Sequence, residues 1–350
     1  ICFLITTSVF AQDYPAFKGL IGGKIDPNIK IVKNSTIITL QQSSVIVPSN
    51  AQDEEEVIIE YRFDADVKDT KPIEWGGHKS KYKRQRVTVD KLQELARSKD
   101  VLAIWDDTKP VPVSYEIDCY TGNSIPSKEL WNKLGIPRLW GRGITGKGVR
   151  VLVVDTGIEP GFSLKVKGGL TLGRDIDSFM HGTSSASVIA SNDLESPGIA
   201  KDVDLYDCTA VPTDSSFAPF EIDECFNWAI EQFQNDGIPT IVSNSWAYVS
   251  PVSQYNLKIR KIQEAADKGI IIVFAASNCG EGCGSYTSCC DGSGRSIFQG
   301  CREQDLYRGR GKSIHGPNQI GDVITVAAVD SENLLREGYS SQGPSYSPGG

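Results

Sequence analysis

Buried strands alternate with helices from about residue 148 onward, and this alternation constrains the fold most. The apolar runs that predict strands are Val149–Asp155, Val203–Ala210, Thr240–Ser243, Ile270–Ala276 and Asp322–Val329. Such runs are typical of parallel strands covered on both faces. Helical periodicity separates them, at 222–233 between Pro219 and Gly237 and at 257–266 before Gly269. The pattern predicts an α/β fold with a doubly wound, mostly parallel sheet, whose functional residues lie at the carboxyl ends of its strands.

The first third of the chain has a different, mixed pattern. Strands are predicted at Thr36–Leu40, Val45–Val47, Val57–Tyr61 and Val101–Trp105, with a helix at Val89–Arg97. The segment 78–86 holds five cations in nine residues, which favours a solvated loop, with an exposed processing site as the alternative. We therefore expect a small α+β domain ahead of the doubly wound sheet.

Composition and charge narrow the classes of partner. The chain has 36 Lys and Arg against 44 Asp and Glu, a net charge of -8, which argues against nucleic acid or an anionic membrane as partner. No apolar run approaches the roughly 18 to 20 residues of a membrane span. The string Gly141–Gly146 matches a dinucleotide fingerprint, but it precedes a predicted strand instead of following one, so nucleotide binding is not expected.

The N-terminal residues and the cysteines point to secretion. Residues 1–11 resemble the apolar remnant of a signal peptide ending at Ala11, with a buried strand as the alternative. The first residue is Ile1 and the only methionine is Met180, so we expect the natural protein to be longer at its N-terminus. Eight of the nine cysteines, all except Cys2, are then suited to disulfides in an oxidising compartment. Five crowd into 279–301, where a stapled loop is expected and zinc is the alternative.

Three polar residues at predicted element ends form a chemical set. Asp155 ends a buried strand, His181 opens a helix, and Asn278 ends another buried strand. Acyl transfer needs a carboxylate that orients an imidazole, an imidazole that takes the nucleophile's proton, and a donor for the oxyanion. Each residue alone is a weak signal, whereas the set in this order is a strong one.

The motifs around these residues resemble those of subtilisin-like serine proteases, the subtilases. Val151–Ile158 is similar to the family's aspartate motif, His181–Thr183 to its histidine motif, and Phe274–Asn278 to the segment with the oxyanion asparagine. The resemblance implies a secreted serine endopeptidase made as a zymogen. It implies a propeptide domain at 12–112 that inhibits the enzyme and a peptidase domain at 113–350, with protein or peptide substrates.

The resemblance also implies a substrate groove. Its edge and the facing wall of its primary pocket would consist of Ser245, Trp246, Ala247, Ala275 and Ala276. The family's nucleophile motif, Gly-Thr-Ser-x-Ala or Gly-Thr-Ser-x-Ser, should follow Pro344, but the sequence ends at Gly350 without it. The string Gly182–Ala186 has the same letters, yet Ser184 lies on the same predicted helix as the histidine and cannot attack independently.

Other departures from the family concern metal ions and alternative functions. No cofactor is needed for this chemistry. Ser163 stands where the family often has a calcium-binding aspartate, and the loop Asn192–Gly198 is short, so a structural calcium ion is not firmly implied. The alternatives to an enzyme are a non-catalytic subtilase relative that binds peptides or proteins and a disulfide-rich interaction domain. The second alternative leaves the alternating buried strands unexplained.

Overall fold

In a computed structural model of the chain, two compact units are formed, one by residues 1–108 with 255–264 and the other by residues 109–254 with 265–350. The structure describes residues 24, 54–75, 77–107, 110–112, 127–161, 163–170, 177, 180–211, 222–248, 257–277, 314, 317, 320–330, 333–337, 340–341 and 343. The predicted strands Thr36–Leu40 and Val45–Val47 lie outside these residues. Among the described helices, none has the length and apolar character needed to cross a bilayer.

The first unit contains an antiparallel sheet and a helix. Its elements are β1 (Glu55–Arg62), β2 (Lys71–Trp75), β3 (His78–Val87), α1 (Val89–Arg97) and β4 (Val101–Asp106). The strands lie in the order β2-β3-β1-β4, and every neighbouring pair is antiparallel. Helix α1 begins after Thr88, whose hydroxyl accepts the N–H of Lys91, and its bounds are those predicted from the sequence.

Both faces of this sheet are covered by apolar side chains. Leu92 and Ala96 of α1 pack on the face that carries Val57 and Ile59. The opposite face carries a second cluster, made by Ile58, Ile73, Tyr82, Ala103, Trp105 and Leu257. Because side chains alternate along a strand, adjacent residues such as Ile58 and Ile59 serve different cores.

The basic segment 78–86 is an interior strand of this sheet, not the solvated loop that its charge predicted. It forms most of β3, which pairs with β1 on one side and β2 on the other. Ser80 and Tyr82 are buried, whereas Lys79 is exposed. Lys79, Lys81 and Lys83 alternate with the buried Ser80 and Tyr82 at the period of two that is typical of a strand, and the density of cations obscured this period.

A buried carboxylate network lies on the face of the second cluster. Glu60 is fully buried and accepts hydrogen bonds from Ser80 Oγ at 2.5 Å, from Trp105 Nε1 at 2.8 Å and from both Nη atoms of Arg260, with His78 Nε2 at 3.4 Å. Burial disfavours ionisation of this carboxyl. The charge of Arg260 and the hydrogen bonds from its neighbours outweigh that effect and hold the pKa of Glu60 well below its usual range.

We predict that Glu60→Gln destabilises the first unit by about 3 to 5 kcal/mol at neutral pH, because it removes the carboxylate charge that faces both Nη atoms of the buried Arg260 guanidinium. The lowered pKa means that the carboxylate stabilises the fold above the unfolded value of 4.5 and stops doing so as the pH falls through the folded value. The difference between variant and wild type should therefore shrink in strong acid. Urea unfolding at several pH values measures it.

The matched control is Glu74→Gln on the same sheet. Glu74 pairs with Lys79 at 3.2 Å, and both side chains are more than half exposed. Its loss should change stability little, since exposed ion pairs contribute little. Equal effects of the two substitutions would show that the buried network does not stabilise the unit.

The second unit contains a larger, parallel sheet. Its strands are β5 (Pro110–Pro112), β6 (Arg150–Asp155), β7 (Val166–Leu170), β8 (Asp204–Thr209), β9 (Thr240–Asn244), β10 (Trp246–Tyr248), β11 (Ile271–Ala275) and β12 (Ile324–Val326). Its helices are α2 (Ser127–Lys133), α3 (Ile136–Trp140), α4 (His181–Ala190), α5 (Ile222–Asp236) and α6 (Leu257–Asp267), and residues 257–264 of α6 are counted in the first unit.

Six strands form the parallel sheet in the order β12-β11-β9-β6-β8-β7. All neighbours run parallel. The chain leaves β6 toward β7 and β8 on one side and then crosses to β9 on the other, so the topological switch point lies at β6. The five predicted buried strands correspond to β6, β8, β9, β11 and β12, which confirms the predicted doubly wound α/β fold.

Helices cover both faces of this sheet. Ala186 and Ala190 of α4 pack against Val151, Val153 and Leu205 on one face. On the other face, α5 is joined to β8 by a disulfide between Cys208 and Cys225. The remaining cysteines lie outside the described residues, so the predicted cysteine-rich loop at 279–301 stays a prediction. Every residue of β6 is buried, as its continuous apolar run predicted.

Candidate active site

The carboxylate of Asp155 lies at the carboxyl end of the central strand. Asp155 is the last residue of β6, stands in register with Thr209 of β8, and is 1% exposed. Its Oδ1 accepts the N–H of Thr156 at 2.7 Å, and its Oδ2 accepts the hydroxyl of Ser185 at 3.4 Å. The switch point of the sheet therefore presents an oriented carboxylate.

The imidazole of His181 lies against this carboxylate. His181 is the first residue of α4, and its Nδ1 is 2.6 Å from Oδ1 of Asp155, although the two residues are 26 positions apart. A carboxylate oxygen accepts, so Nδ1 carries the proton and Nε2 is the nitrogen that can accept one. The histidine side chain is 13% exposed. This arrangement suits a general base held in one tautomer.

Two glycines allow β6 and α4 to meet. A Cβ on Gly182 would lie 2.1 Å from the carbonyl oxygen of Gly157 and 3.0 Å from Cβ of Asp155. Gly157 has a φ of 118°, a conformation that other residues rarely adopt. The N–H of Gly182 donates to the hydroxyl of Thr156 at 3.0 Å. The short carboxylate–imidazole distance thus depends on residues that have no side chain.

Asp177, which precedes α4 in the chain, accepts hydrogen bonds from both sides of the junction between β6 and α4. It is 3% exposed, and its Oδ1 accepts the hydroxyl of Thr156 at 3.0 Å and the N–H of Met180 at 2.9 Å. Its Oδ2 accepts the N–H of Thr183 at 3.0 Å and its hydroxyl at 2.7 Å. Four donors satisfy this carboxylate, which ties the turn after β6 to the first turn of the helix.

Asp207 of β8 is a third buried carboxyl near the site. Its Oδ2 accepts the N–H of Ile158 at 3.2 Å and the hydroxyl of Thr209 at 3.3 Å. Burial raises the pKa of Asp207 to about 7; these hydrogen bonds act in the opposite direction, and the charges of Asp177 and Asp155 add to the rise. The sequence analysis did not identify Asp177 or Asp207.

The predicted substrate edge forms strand pairs with an extended segment of the chain. Strand β10 pairs antiparallel with β5, with Trp246 opposite Pro112, Ala247 opposite Val111, and Tyr248 opposite Pro110. The Trp246 side chain is fully buried and meets the ring of Phe274 edge to face, with centroids 4.9 Å apart. An extended peptide at this edge would therefore pair with the backbone of Trp246 and would not contact its side chain.

The other predicted groove residues lie next to these strands. Ser245 precedes β10 and is partly buried, while Ala275 ends β11 and Ala276 follows it, buried. The N–H of Ala276 donates to the carbonyl of Val326 in β12 at 2.8 Å. Asn278 lies outside the described residues, so its role as oxyanion donor stays a prediction.

The acidic side chains of the loop Asn192–Gly198 take part in hydrogen bonds and an ion pair, and the prediction about a structural calcium ion there stays a prediction. Oδ1 of Asp193 accepts the N–H groups of Glu195 and Ser196 at 2.7 and 2.8 Å, and Glu195 forms an ion pair with Lys128 at 2.8 Å. Calcium needs six to eight converging oxygen ligands. Within the described part of the chain, no three His, Cys, Asp or Glu side chains are grouped as a metal ion would require.

Comparison with known proteins gives the family. The model of the subtilase family, peptidase S8, matches residues 146–349. The chain belongs to the subtilase family. The thermostable alkaline protease of Halalkalibacterium halodurans is 27% identical over 209 residues, which are 58% of this chain and 47% of that protein. The minor extracellular protease Epr of Bacillus subtilis is 24% identical over 262 residues, 71% of this chain and 35% of that protein.

A solved structure supports the fold assignment. Fervidolysin from Fervidobacterium pennivorans, described as a keratinolytic enzyme related to subtilisin, superposes with a TM-score of 0.52 at 20% identity. The match covers 83% of this chain and 45% of that one. The chain spans about half the length, or less, of these curated relatives, so the activity of the whole protein is treated as a proposal below.

The sequence contained a signal for one of the two missed carboxylates of this subtilase. Asp177 lies four residues before His181, whereas the N-cap of the helix is Met180, so the position of Asp177 gave no capping signal. Asp207 is a charged residue inside a run predicted to be buried on both faces. A charge in such a run requires a partner or a raised pKa, and this requirement could have identified Asp207.

We predict that Gly182→Ala destabilises the second unit by about 1 to 3 kcal/mol and separates His181 from Asp155, because the new methyl group collides with a backbone carbonyl. Thermal unfolding measures the first effect, and turnover by the full-length protein measures the second. Gly321→Ala is the control, since a Cβ there meets nothing within 4 Å. Normal stability and activity of Gly182→Ala would contradict the proposed contact.

Proposed function

We propose that this subtilase is the precursor of a serine endopeptidase. The observation that carries the proposal is the 2.6 Å contact between Nδ1 of His181 and the buried carboxylate of Asp155, at the switch point of the sheet. The matched relatives are named as proteases, which also supports it. Secretion is part of the proposal and is supported by the apolar residues 1–11 and by a relative named as extracellular.

The proposed reaction is acyl transfer to a serine. Nε2 of His181 takes the serine's proton as the oxygen attacks the scissile carbonyl, and Asp155 stabilises the imidazolium that forms. The side chain of Asn278 donates to the developing oxyanion. The imidazolium of His181 gives its proton to the leaving amine as the peptide C–N bond breaks, which leaves the acyl-enzyme and a neutral imidazole. Water then hydrolyses the acyl-enzyme, with His181 acting again as base.

In this proposal, the nucleophilic serine is not among residues 1–350. The family motif Gly-Thr-Ser-x-Ala or Gly-Thr-Ser-x-Ser is expected after Pro344, and residues 345–350 do not contain it. Ser184 is a poor substitute, because it lies on α4 with His181 and its hydroxyl donates to the carbonyl of Met180 at 2.8 Å. A chain of these 350 residues alone should therefore lack hydrolytic activity.

Residues 12–112 would act as an inhibitory propeptide. The support is the antiparallel pairing of β5 with β10, in which Pro110–Pro112 lie along the proposed substrate edge as an extended peptide would. A segment that occupies this edge competes with substrates for the same backbone groups. Release of the segment by the enzyme itself would open the groove.

We predict that His181→Ala in the full-length protein lowers kcat on casein by about 10⁴-fold or more, because the serine's proton then has no acceptor. Ser184→Ala is the matched control on the same helix and should keep most of the activity. Hydrolysis assays with thermal unfolding of each variant measure both effects. Activity that survives in His181→Ala would reject the proposed function, and equal loss in a folded Ser184→Ala would reject the assignment of the base.

A second prediction concerns processing. The mature protein should begin between Val111 and Ser127, because the segment after β5 extends from the proposed substrate edge. N-terminal sequencing of the protein from the culture medium measures this position, and the inactive His181→Ala variant should remain unprocessed. A mature chain that begins near Gln12 would contradict the proposed propeptide.

A further inference from the structure

Asp207, a buried carboxyl near the proposed catalytic pair, has hydrogen-bond donors from the described residues on only one of its two oxygens. Asp207 is 2% exposed, and its Oδ2 accepts two hydrogen bonds. Its Oδ1 is buried, and no donor in the described part of the chain reaches it. Asp177, by contrast, has donors on both oxygens. An ionised oxygen that is buried without donors is costly, so the geometry of Asp207 favours a protonated carboxyl.

The position of Asp207 connects it to the catalytic pair. In the β6–β8 ladder Asp207 stands opposite Val153, and Thr209 stands opposite Asp155. Residues two apart on a strand share a face, so Asp207 lies on the same face as Asp155 and α4. It also receives the N–H of Ile158, the third residue after Asp155. Asp207 therefore supports the turn that follows the proposed catalytic carboxylate.

The charged groups that face Asp207 are all acidic among the described residues. Asp155 of β6 and Asp177 ahead of α4 both favour its protonated form. Helix α4 has no ionisable residue except His181. Strand β7 places Gly169 opposite Asp207, and its Lys167 pairs with Asp204 at 2.6 Å. No cation in these elements is available to offset a negative charge at Asp207.

We propose that Asp207 is a positioning residue that is protonated in acid, supports the turn after Asp155, and on losing its proton in the pH range of the acid limb places a third negative charge beside the Asp155–His181 pair. This inference rests on the proposed function. An added negative charge stabilises the imidazolium of His181, so deprotonation of Asp207 should raise the pKa of the base. The neutral carboxyl keeps His181 available as a base at lower pH.

The first test is the pH dependence of hydrolysis by the full-length protein. Asp207→Asn is permanently neutral, and its side-chain oxygen can still accept from Ile158 and Thr209. Its kcat/KM at the plateau should stay within about twofold of wild type, and the midpoint of the acid limb should move to lower pH by about half a unit. An unchanged midpoint in an active variant would overturn the proposal while leaving the proposed function intact.

The second test is the pH dependence of stability and does not need activity. The folded pKa of Asp207, about 7, exceeds the usual 3.8, so the contribution of Asp207 to stability falls as the pH rises from about 4 to about 7. Asp207→Asn should gain relative to wild type over that range, by about 5 °C in the thermal midpoint, and then level off. A His181→Ala background in both proteins prevents autolysis.

The matched control for stability is Asp236→Asn. Hydrogen bonding to Arg150 holds the pKa of Asp236 below its usual range, with their atoms 2.5 Å apart. From about pH 4 to about pH 7 Asp236 is ionised in both the folded and the unfolded state, so the stability of this variant relative to wild type should stay constant over that range, unlike that of Asp207→Asn. If Asp207→Asn behaved like Asp236→Asn, Asp207 would be an ordinary ionised structural carboxylate and the proposal would be wrong.

A measurement on the wild-type residue covers the case in which Asp207→Asn fails to fold. Carbonyl ¹³C NMR of protein labelled at the aspartate carboxyls follows each group through its titration. One aspartate resonance should titrate close to neutral pH. The absence of any aspartate resonance that titrates above about pH 5.5 would overturn the proposal without any variant.

Discussion

The proposed catalytic pair depends on a contact that leaves no space for a side chain. The carbonyl of Gly157 and the backbone of Gly182 meet where β6 ends and α4 begins. If these two backbone segments moved apart far enough to make room for a methyl group, Nδ1 of His181 would move out of hydrogen-bond range of Asp155. The hydrogen bonds of Thr156 and Asp177 link the same two segments. The position of His181 against Asp155 is therefore held both by a close backbone contact and by a set of hydrogen bonds.

Much of this arrangement could be predicted from the sequence, because its strongest signals are local. The apolar run that became β6 carries Asp155 at its end, and the helix that begins at His181 has the small residues that close packing needs. Strand β3 was mispredicted because its buried positions, such as Ser80 and Tyr82, are separated by cations that resemble a loop in composition. The contact of Asp207 with the N–H of Ile158 could not be predicted from the sequence, since the two residues lie 49 positions apart along the chain.

Two buried carboxyls in this protein show how environment decides ionisation. Glu60 and Asp207 are both removed from water, which disfavours their charged forms. Arg260 and several donors reverse that preference at Glu60, whereas Asp207 faces two other acids and no donor among the described residues reaches its Oδ1. Burial alone therefore does not determine the charge of an acidic side chain. The donors and charges that the fold brings to it do.

The two prolines of β5 have a consequence for association between molecules. Because proline has no N–H, Val111 holds the only backbone donor of this three-residue strand, and it must serve the pairing with β10. The outer side of β5 then offers carbonyl oxygens without amide hydrogens. A further strand, from a second molecule or from a misfolded neighbour, would find no complete ladder along Pro110–Pro112, so this side of β5 is a poor site for strand addition.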